Sequence, residues 1–447
     1  MFATSRRTPS CEEAWTLTLR ELVDRGVPLA AGRPSRELLG FDVVVDDVRQ
    51  RLVANSARPL PVVSAVARFV WMMAGNDRLA DIRFYEPNVA RFTDDGLTVP
   101  GSNYGSRLRR SPAGTDQIRG AIERLKGADE EMAGPDGDLR RAANVIWRPE
   151  DAVRASKDIP CAFGAFYFPR DGRLVTQLVM RSNNAMALMP FNLFEFTLLA
   201  EVIAAEVGIE PGPFRLDAMS MHLYTADDVR ATQVLDAAGG TAAHPMPPIQ
   251  SDSGPLEQIR QLAQAEAQMR HELAAVAAAS VDELRDRGEG LDDYWRAFLE
   301  VLLVHAAATV GRLDTARELA EVLPQWCRAG ALAHLDRLAE NPTVGEGRLF
   351  AVPGRSSRAS EVRDALQDGG ALRGEREHLH ALLDEIERRG VTLTRHQSLE
   401  VERVLLDRVS AAARSDGGGG SGDRSLFSLE EVERVLRELG FDSSGPQ

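Results

Sequence analysis

The chain has 447 residues, 44% hydrophobic and 27% charged, with a net charge of -14. That length predicts two or three domains, and the acidic balance excludes a general surface for nucleic-acid polymers, which would need a basic face. Three distant cysteines without a CxxC pair, no apolar run near the roughly 18 residues that span a bilayer, and an N-terminus without an apolar centre exclude a disulfide framework, a zinc or other metal site, a membrane anchor and a secretion signal; a cytoplasmic protein is expected.

Residues 12–25 carry Trp15, Leu19, Leu22 and Val23 on one helical face, and Gly26 is placed to end that helix. Val43–Val45 reads as a strand, and residues 61–74 as a mostly apolar helix with Arg68 embedded in it. Residues 85–106 are rich in turn signals, and Asp116–Lys126 returns to helix. Strands follow at Ala142–Trp147, Ala162–Phe168 and Leu174–Met180, the last two joined by the hairpin signal PRDGR. Residues 191–207 form a very apolar helix, after which PGPF reads as a turn and SMHLY as a short strand.

Near residue 240 the composition changes to the linker-like GGTAAHPMPPIQSDSGP, and the rest is helical. Helices are expected within 256–285, 293–310, 314–340 and 361–414, with a loop at 341–360. Residues 415–424 are a flexible Gly/Ser linker, and a last helix starts at the capping-box pair Ser428 and Glu431. The expected division is therefore a catalytic domain at 12–250, a helical extension at 255–414, the linker, and a terminal helix and tail at 425–447. Trp295, Phe298, Leu302 and Leu303 are expected in the core of the extension, and the acidic run Asp129–Glu131 in a solvated loop.

Cys161 follows Pro160 at a strand entrance. A thiolate there could attack a polarised ring, provided a cation lowers its pKa, and Arg181 at the end of the hairpin is the candidate. Arg181 and Ser182 offer a planar cation and a hydroxyl, which suits phosphate; Arg140 and Arg141 form a second basic pair. His222 and Tyr224 alternate onto one face of a strand, and Asn192 places an amide near the start of the apolar helix.

In this order and spacing, D-I-P-C, R-S-N-N-A-M-A-L-M-P-F-N and H-L-Y resemble the thymidylate synthase family of pyrimidine-nucleotide C5 transferases, over residues 12–250. The resemblance implies an α+β fold, a mixed and largely antiparallel sheet with packed helices, extended here by an all-α C-terminal region. It implies transfer of a one-carbon unit from 5,10-methylenetetrahydrofolate to C5 of a pyrimidine nucleotide monophosphate, through a covalent adduct with Cys161. It also implies an obligate homodimer with shared active sites. By the same resemblance Arg181, Ser182, Arg36, Arg140 and Arg141 take the phosphate, the last two from the partner subunit, and His222 and Tyr224 hold the sugar. Asn192 reads the base and, as an amide, suits uracil; Tyr104 stands near the proton abstraction at C5; Asn184, Leu188 and Phe191 line the base and folate sites.

The departures from the family pattern are specific. Ala30-Ala31-Gly32 stands where an arginine loop is expected, with Arg33 and Arg36 close by, and Arg68 replaces the family's catalytic glutamate. Asn184 replaces an acid, Ala162 a histidine, NVARFTDD the tryptophans that flank the folate, and a helical extension the short closing tail. Methylation of a uridylate-type substrate is the leading expectation. Hydroxymethylation of a uridylate or cytidylate, with water in place of hydride, is the alternative, and a non-catalytic nucleotide-binding scaffold is the reading from another class.

Overall fold

The computed structural model describes residues 5–340 apart from 31, 112–113, 128–138, 241–243, 251 and 253. Its strands are β1 (Arg6–Thr8), β2 (Val27–Leu29), β3 (Ser35–Val45), β4 (Ala143–Val145), β5 (Ala162–Arg170), β6 (Arg173–Met180), β7 (Asn183–Asn184) and β8 (Glu210–Tyr224). They form one mixed sheet in the order β1-β3-β8-β6-β5-β4, with β2 added to β3 and β7 to β8. The β3–β8, β5–β6 and β4–β5 pairs are antiparallel, whereas β6 and β8 run parallel. A parallel pair needs a crossover, and here it is the helix Met189–Val207. That helix is apolar on nearly all sides, as a helix with no solvent face must be, and every residue from Met189 to Ala205 is buried.

Two expectations about strands are corrected. PGPF is not a turn: Pro211–Phe214 lie inside the 15-residue β8. A register shift opposite Leu174 and Thr176 absorbs the irregular residues, so the strand continues through them. Nor is β3 confined to the Val43–Val45 run. It begins at Ser35, because Ser35–Leu39 find their partners in Ser220–Tyr224, nearly two hundred residues away in the chain. Short β1 and β2 likewise exist through pairing with β3.

The buried helix carries Glu201, 1% exposed, and a lone carboxylate there would be costly. Arg49 Nε donates to Glu201 at 2.7 Å, and the fully buried Arg51 donates to its other oxygen. Arg51 also donates to Val48 O and to the Tyr294 hydroxyl, each at 3.0 Å, which ties the core beneath the sheet to the C-terminal helices.

Helices Pro255–His271, Asp293–Thr309, Leu313–Val322 and Gln325–Glu340 follow, and the first, second and fourth pack against the helix Val62–Ala74. Trp295 lies nearly parallel to Phe69, centroids 6.3 Å apart, and Phe298 meets the same ring edge-on. Trp295, Phe298, Leu302 and Leu303 are all fully buried, as expected, and join the same hydrophobic cluster as the sheet. The expected helices at 361–414, the Gly/Ser linker, the terminal helix with Ser428 and Glu431, the acidic run Asp129–Glu131 and residue Ala31 lie outside the described residues. Among the described residues no helix is long and apolar enough to cross a membrane.

Truncating Trp295 removes a side chain that both halves of this core share. Trp295→Ala should lower the unfolding free energy by about 3–5 kcal/mol, read from urea denaturation; an unchanged midpoint would contradict the shared packing.

Candidate active site

The loop that ends in Cys161 is fixed by a buried carboxylate. Asp158, 3% exposed, accepts hydrogen bonds from the Gly101 N–H and the Ser102 hydroxyl, which binds the cysteine loop to the turn that carries Tyr104. Two glycines permit this approach. A Cβ on Gly101 would sit 2.0 Å from Asp158 O, and one on Gly105 would sit 1.9 Å from Met72 O. Tyr104 is thereby pressed against the helices, 7% exposed, with its ring 5.6 Å from that of Phe196.

Arg181 closes the same loop from the other side. Its Nε donates to Pro160 O at 2.8 Å, its Nη2 to Ile159 O at 3.2 Å, and its backbone N–H to Cys161 O at 2.9 Å. The guanidinium also lies over the Trp147 ring at 5.5 Å. The expected cation is therefore beside the half-buried thiol, but it does not decide the thiol's charge. Burial pushes Cys161 above the ordinary thiol range; Arg181 pulls it down, Asp158 pushes it up, and burial prevails. The expectation of an already lowered thiol pKa is corrected on that ground.

Next in the chain after Arg181, Ser182 has its Oγ 3.3 Å from His222 Nδ1, and the His222 and Tyr224 rings meet edge-on at 5.0 Å. The alternation expected for His222 and Tyr224 holds. Burial lowers the His222 pKa first of all; Glu37, its cross-strand partner, opposes this, and Arg181 and Arg33 reinforce it, so the imidazole is neutral at pH 7. Arg36 does not join this group, because Asp228 holds its guanidinium through two hydrogen bonds of 3.3 and 3.2 Å. The exposed Arg33 stands over the Tyr224 ring instead, at 3.9 Å. Arg140 and Arg141 are exposed in the short turn Leu139–Arg141 that leads into the edge strand β4.

The amides follow from the start of the buried helix. Asn192, 6% exposed, donates from Nδ2 to Asn183 Oδ1 at 3.2 Å, and β7 holds Asn183 and Asn184 against Met221 and His222. Asn184 Oδ1 accepts the Ala187 N–H at 2.9 Å, which shapes the turn before the half-buried Leu188 and the buried Phe191. Arg68 lies 5.0 Å over the Phe191 ring. It does not address a ligand alone: Nε donates to Glu86 at 2.8 Å, and Nη1 is 3.9 Å from Glu195. Burial opposes the charge of Arg68, and the carboxylates of Glu86 and Glu195 more than restore it.

Glu86 and Glu195 escape a reading of the sequence as a series of motifs, and Arg33 enters it only as a neighbour of the expected arginine loop. Arg33 is displaced from the expected arginine loop, Glu86 lies in a stretch without periodicity, and Glu195 is an acid hidden in an apolar run. The signal for Glu195 is its spacing from Asn192, which puts both on one face of a helix.

A mixed sheet crossed by one buried helix, with a thiol and its clamping arginine at the strand ends, defines an α+β protein. The family model for thymidylate synthase matches residues 32–286, and the chain belongs to the thymidylate synthase family. It is 36% identical over 132 residues to a protein of Methanothermobacter thermautotrophicus provisionally named thymidylate synthase, covering 30% of this chain and 55% of that relative. It is 30% identical over 174 residues to the deoxyuridylate hydroxymethyltransferase of Bacillus phage SP01, covering 36% of this chain and 43% of the relative. A deoxyuridylate hydroxymethyltransferase of Delftia phage PhiW-14 is 26% identical over 204 residues, 43% of this chain and 54% of the relative. The chain thus spans about half the length of the curated relatives it matches.

Because burial holds Cys161 protonated at neutral pH, its alkylation by iodoacetamide should accelerate as pH rises through and beyond the ordinary thiol range. Removing the cation in Arg181→Ala should slow alkylation at neutral pH by roughly threefold to tenfold, with part of the rate regained in Arg181→Lys. Equal rates in all three proteins would show that Arg181 has no electrostatic hold on the thiol.

Proposed function

We propose that this chain transfers a one-carbon unit to C5 of a pyrimidine nucleotide monophosphate, with Cys161 forming the covalent bond to C6. The carrying observation is the clamp of Arg181 on the Cys161 loop, next to Ser182 and His222. A thiol suited to nucleophilic attack thereby adjoins groups suited to a phosphate and a sugar hydroxyl, which supports the reading. Arg181, Ser182 and Arg33 are assigned the phosphate, and His222 and Tyr224 the sugar. Asn192 is assigned the base: its Nδ2 is engaged by Asn183, so its carbonyl is available to an imide N–H, which favours a uridylate-type substrate and methylation.

Hydroxymethylation is the second reading, and the names of the phage relatives support it. The two outcomes share every step at Cys161 and differ in what finally reduces or hydrates the transferred carbon.

The residues present fit 5,10-methylenetetrahydrofolate as donor. Leu188 and Phe191 offer an apolar edge to a flat ring, and Asn184 adds an amide. Arg58 Nη2 donates to Ala187 O at 3.1 Å, while its Nη1 is buried and without a hydrogen-bond partner among the described residues, a cation for the carboxylate of a glutamyl tail. When bound, this group supplies the one-carbon unit.

A homodimer is part of the proposal. Phe163 and Phe166 on β5 and Met219 on β8 are exposed apolar side chains of one sheet, which a second copy would cover. Arg140 and Arg141 would then reach the partner's phosphate.

Incubated with 5-fluoro-dUMP and methylenetetrahydrofolate, the protein should gain the mass of both ligands, and Cys161→Ala should gain neither. No adduct with fluorinated uridylates or cytidylates would leave the scaffold reading standing. In nucleotide titrations Arg33→Ala should weaken binding about tenfold, the worth of one charge-assisted hydrogen bond, whereas Arg36→Ala should change it little.

A further inference from the structure

Two carboxylates are buried in the helix Met189–Val207, and they are treated differently. Glu201 is neutralised by hydrogen bonds from Arg49 and Arg51. Glu195, 5% exposed, receives no hydrogen bond among the described residues; Arg68 Nη1, at 3.9 Å, is too distant for one. Arg68 gives its close contact to Glu86 instead. Glu195 lies one helical turn from Asn192, on the same helix face, and next in sequence to Phe196, which packs on Tyr104.

The groups facing Glu195 are Arg68 from the helix Val62–Ala74, Glu86 from the following loop, and Tyr104 from the turn tied to the cysteine loop. The Tyr104 phenol is raised well above its usual range, first by burial and then by Cys161 and Glu195, so both groups act on the same hydroxyl. Glu195 thus has a long ion pair with Arg68 but no hydrogen-bond donor among the described residues, and it interacts with a phenol that also senses Cys161.

We propose that Glu195 is the proton-transfer carboxyl of this site, acting on O4 of the pyrimidine, with Arg68 and Glu86 as the pair that sets its charge. The proposal rests on the one-carbon reading above. As the Cys161 thiol gives its proton to water and the Sγ–C6 bond forms, the C5–C6 π bond breaks and its electrons reach O4. The Glu195 carboxyl gives O4 its proton, leaving an enol and a carboxylate. When C5 takes up an electrophile, the O4 carbonyl re-forms and the enol proton returns to Glu195. With a solvent proton as that electrophile, the reverse passage releases the original C5 hydrogen to water and Cys161 leaves C6.

Arg68, at the position of the family's glutamate, is then a compensating charge and not a lost function. Burial raises the Glu195 carboxyl to about 7; Arg68 pulls it down and Glu86 pushes it up. The carboxyl is thus poised between its two states at neutral pH, where a group that both gives and takes a proton works best.

The test is folate-independent exchange of tritium from C5 of labelled dUMP, UMP, dCMP and CMP by the full chain. Glu195→Gln should release tritium about 100-fold more slowly while nucleotide affinity and melting temperature hold, and Glu86→Gln should lose less than Glu195→Gln. The wild-type rate, which rises with pH as Cys161 ionises, should level off above about 7, where Glu195 loses its proton, and this limb should be absent in Glu195→Gln, whose rate should keep rising. Glu195→Asp, which keeps the carboxyl, should retain at least a tenth of the release. Undiminished release in Glu195→Gln overturns the proposal and leaves the one-carbon reading intact, as does a loss confined to Glu86→Gln. If Glu195→Gln does not fold, a wild-type profile without that limb overturns it. No release by the wild-type protein from any of the four nucleotides removes both the reading and the proposal.

Discussion

The structure depends on burying polar side chains inside one apolar crossover helix. Because β6 and β8 are parallel, the chain between them must cross one face of the sheet, and the helix that does so has no solvent-facing stripe. Each polar group it carries must then be matched from elsewhere in the fold. Thr197 bonds back to Leu193 O at 2.6 Å, Asn192 meets Asn183, and Glu201 draws in Arg49 and Arg51. The partners of Asn192 and Glu201 come from β7 and the segment after β3, so the helix's polarity fixes the positions of distant chain segments. Glu195 is the exception: its partner Arg68, at 3.9 Å, is too far for a hydrogen bond.

The thiol obeys the same balance of burial against charge. Arg181 is placed to lower the pKa of Cys161, yet its strongest contacts are with the carbonyls of Pro160 and Ile159, which shape the loop. In the free protein the sulfur is desolvated and protonated. Such a thiol is slow to oxidise, because oxidation follows thiolate character.

Local chemistry was legible in the sequence, and pairing over long distances was not. Cys161, Arg181, Ser182, Asn192 and His222 stand at turns and element ends, where a few neighbouring residues dictate backbone and exposure; the structure ties Arg181 to the Cys161 loop, Ser182 to His222 and Asn192 to Asn183. The core places of Trp295 and Phe298 were readable from helical periodicity. PGPF misled because its residues look like a turn, and only the facing strand β6 makes them a strand. The pairing of Arg36 was not legible because its partner Asp228 lies 192 residues away. Arg68 looked like a loss for a similar reason: its meaning resides in Glu86 and Glu195, which no local pattern links to it.

The hydrogen bond from Arg51 to the Tyr294 hydroxyl has an evolutionary implication. Tyr294 belongs to a helix beyond the last residue of the matched family region, whereas Glu201, the other partner of Arg51, belongs to the helix under the sheet. A recombination event that exchanged the C-terminal helices for another segment would strip one acceptor from a fully buried guanidinium. Substitutions on the two sides of that seam are therefore not independent: a change at Tyr294 alters which residues are tolerated at Arg51 and, through it, at Glu201. The C-terminal helices and the sheet domain are expected to have diverged together, with compensating pairs of changes across the seam and few single ones.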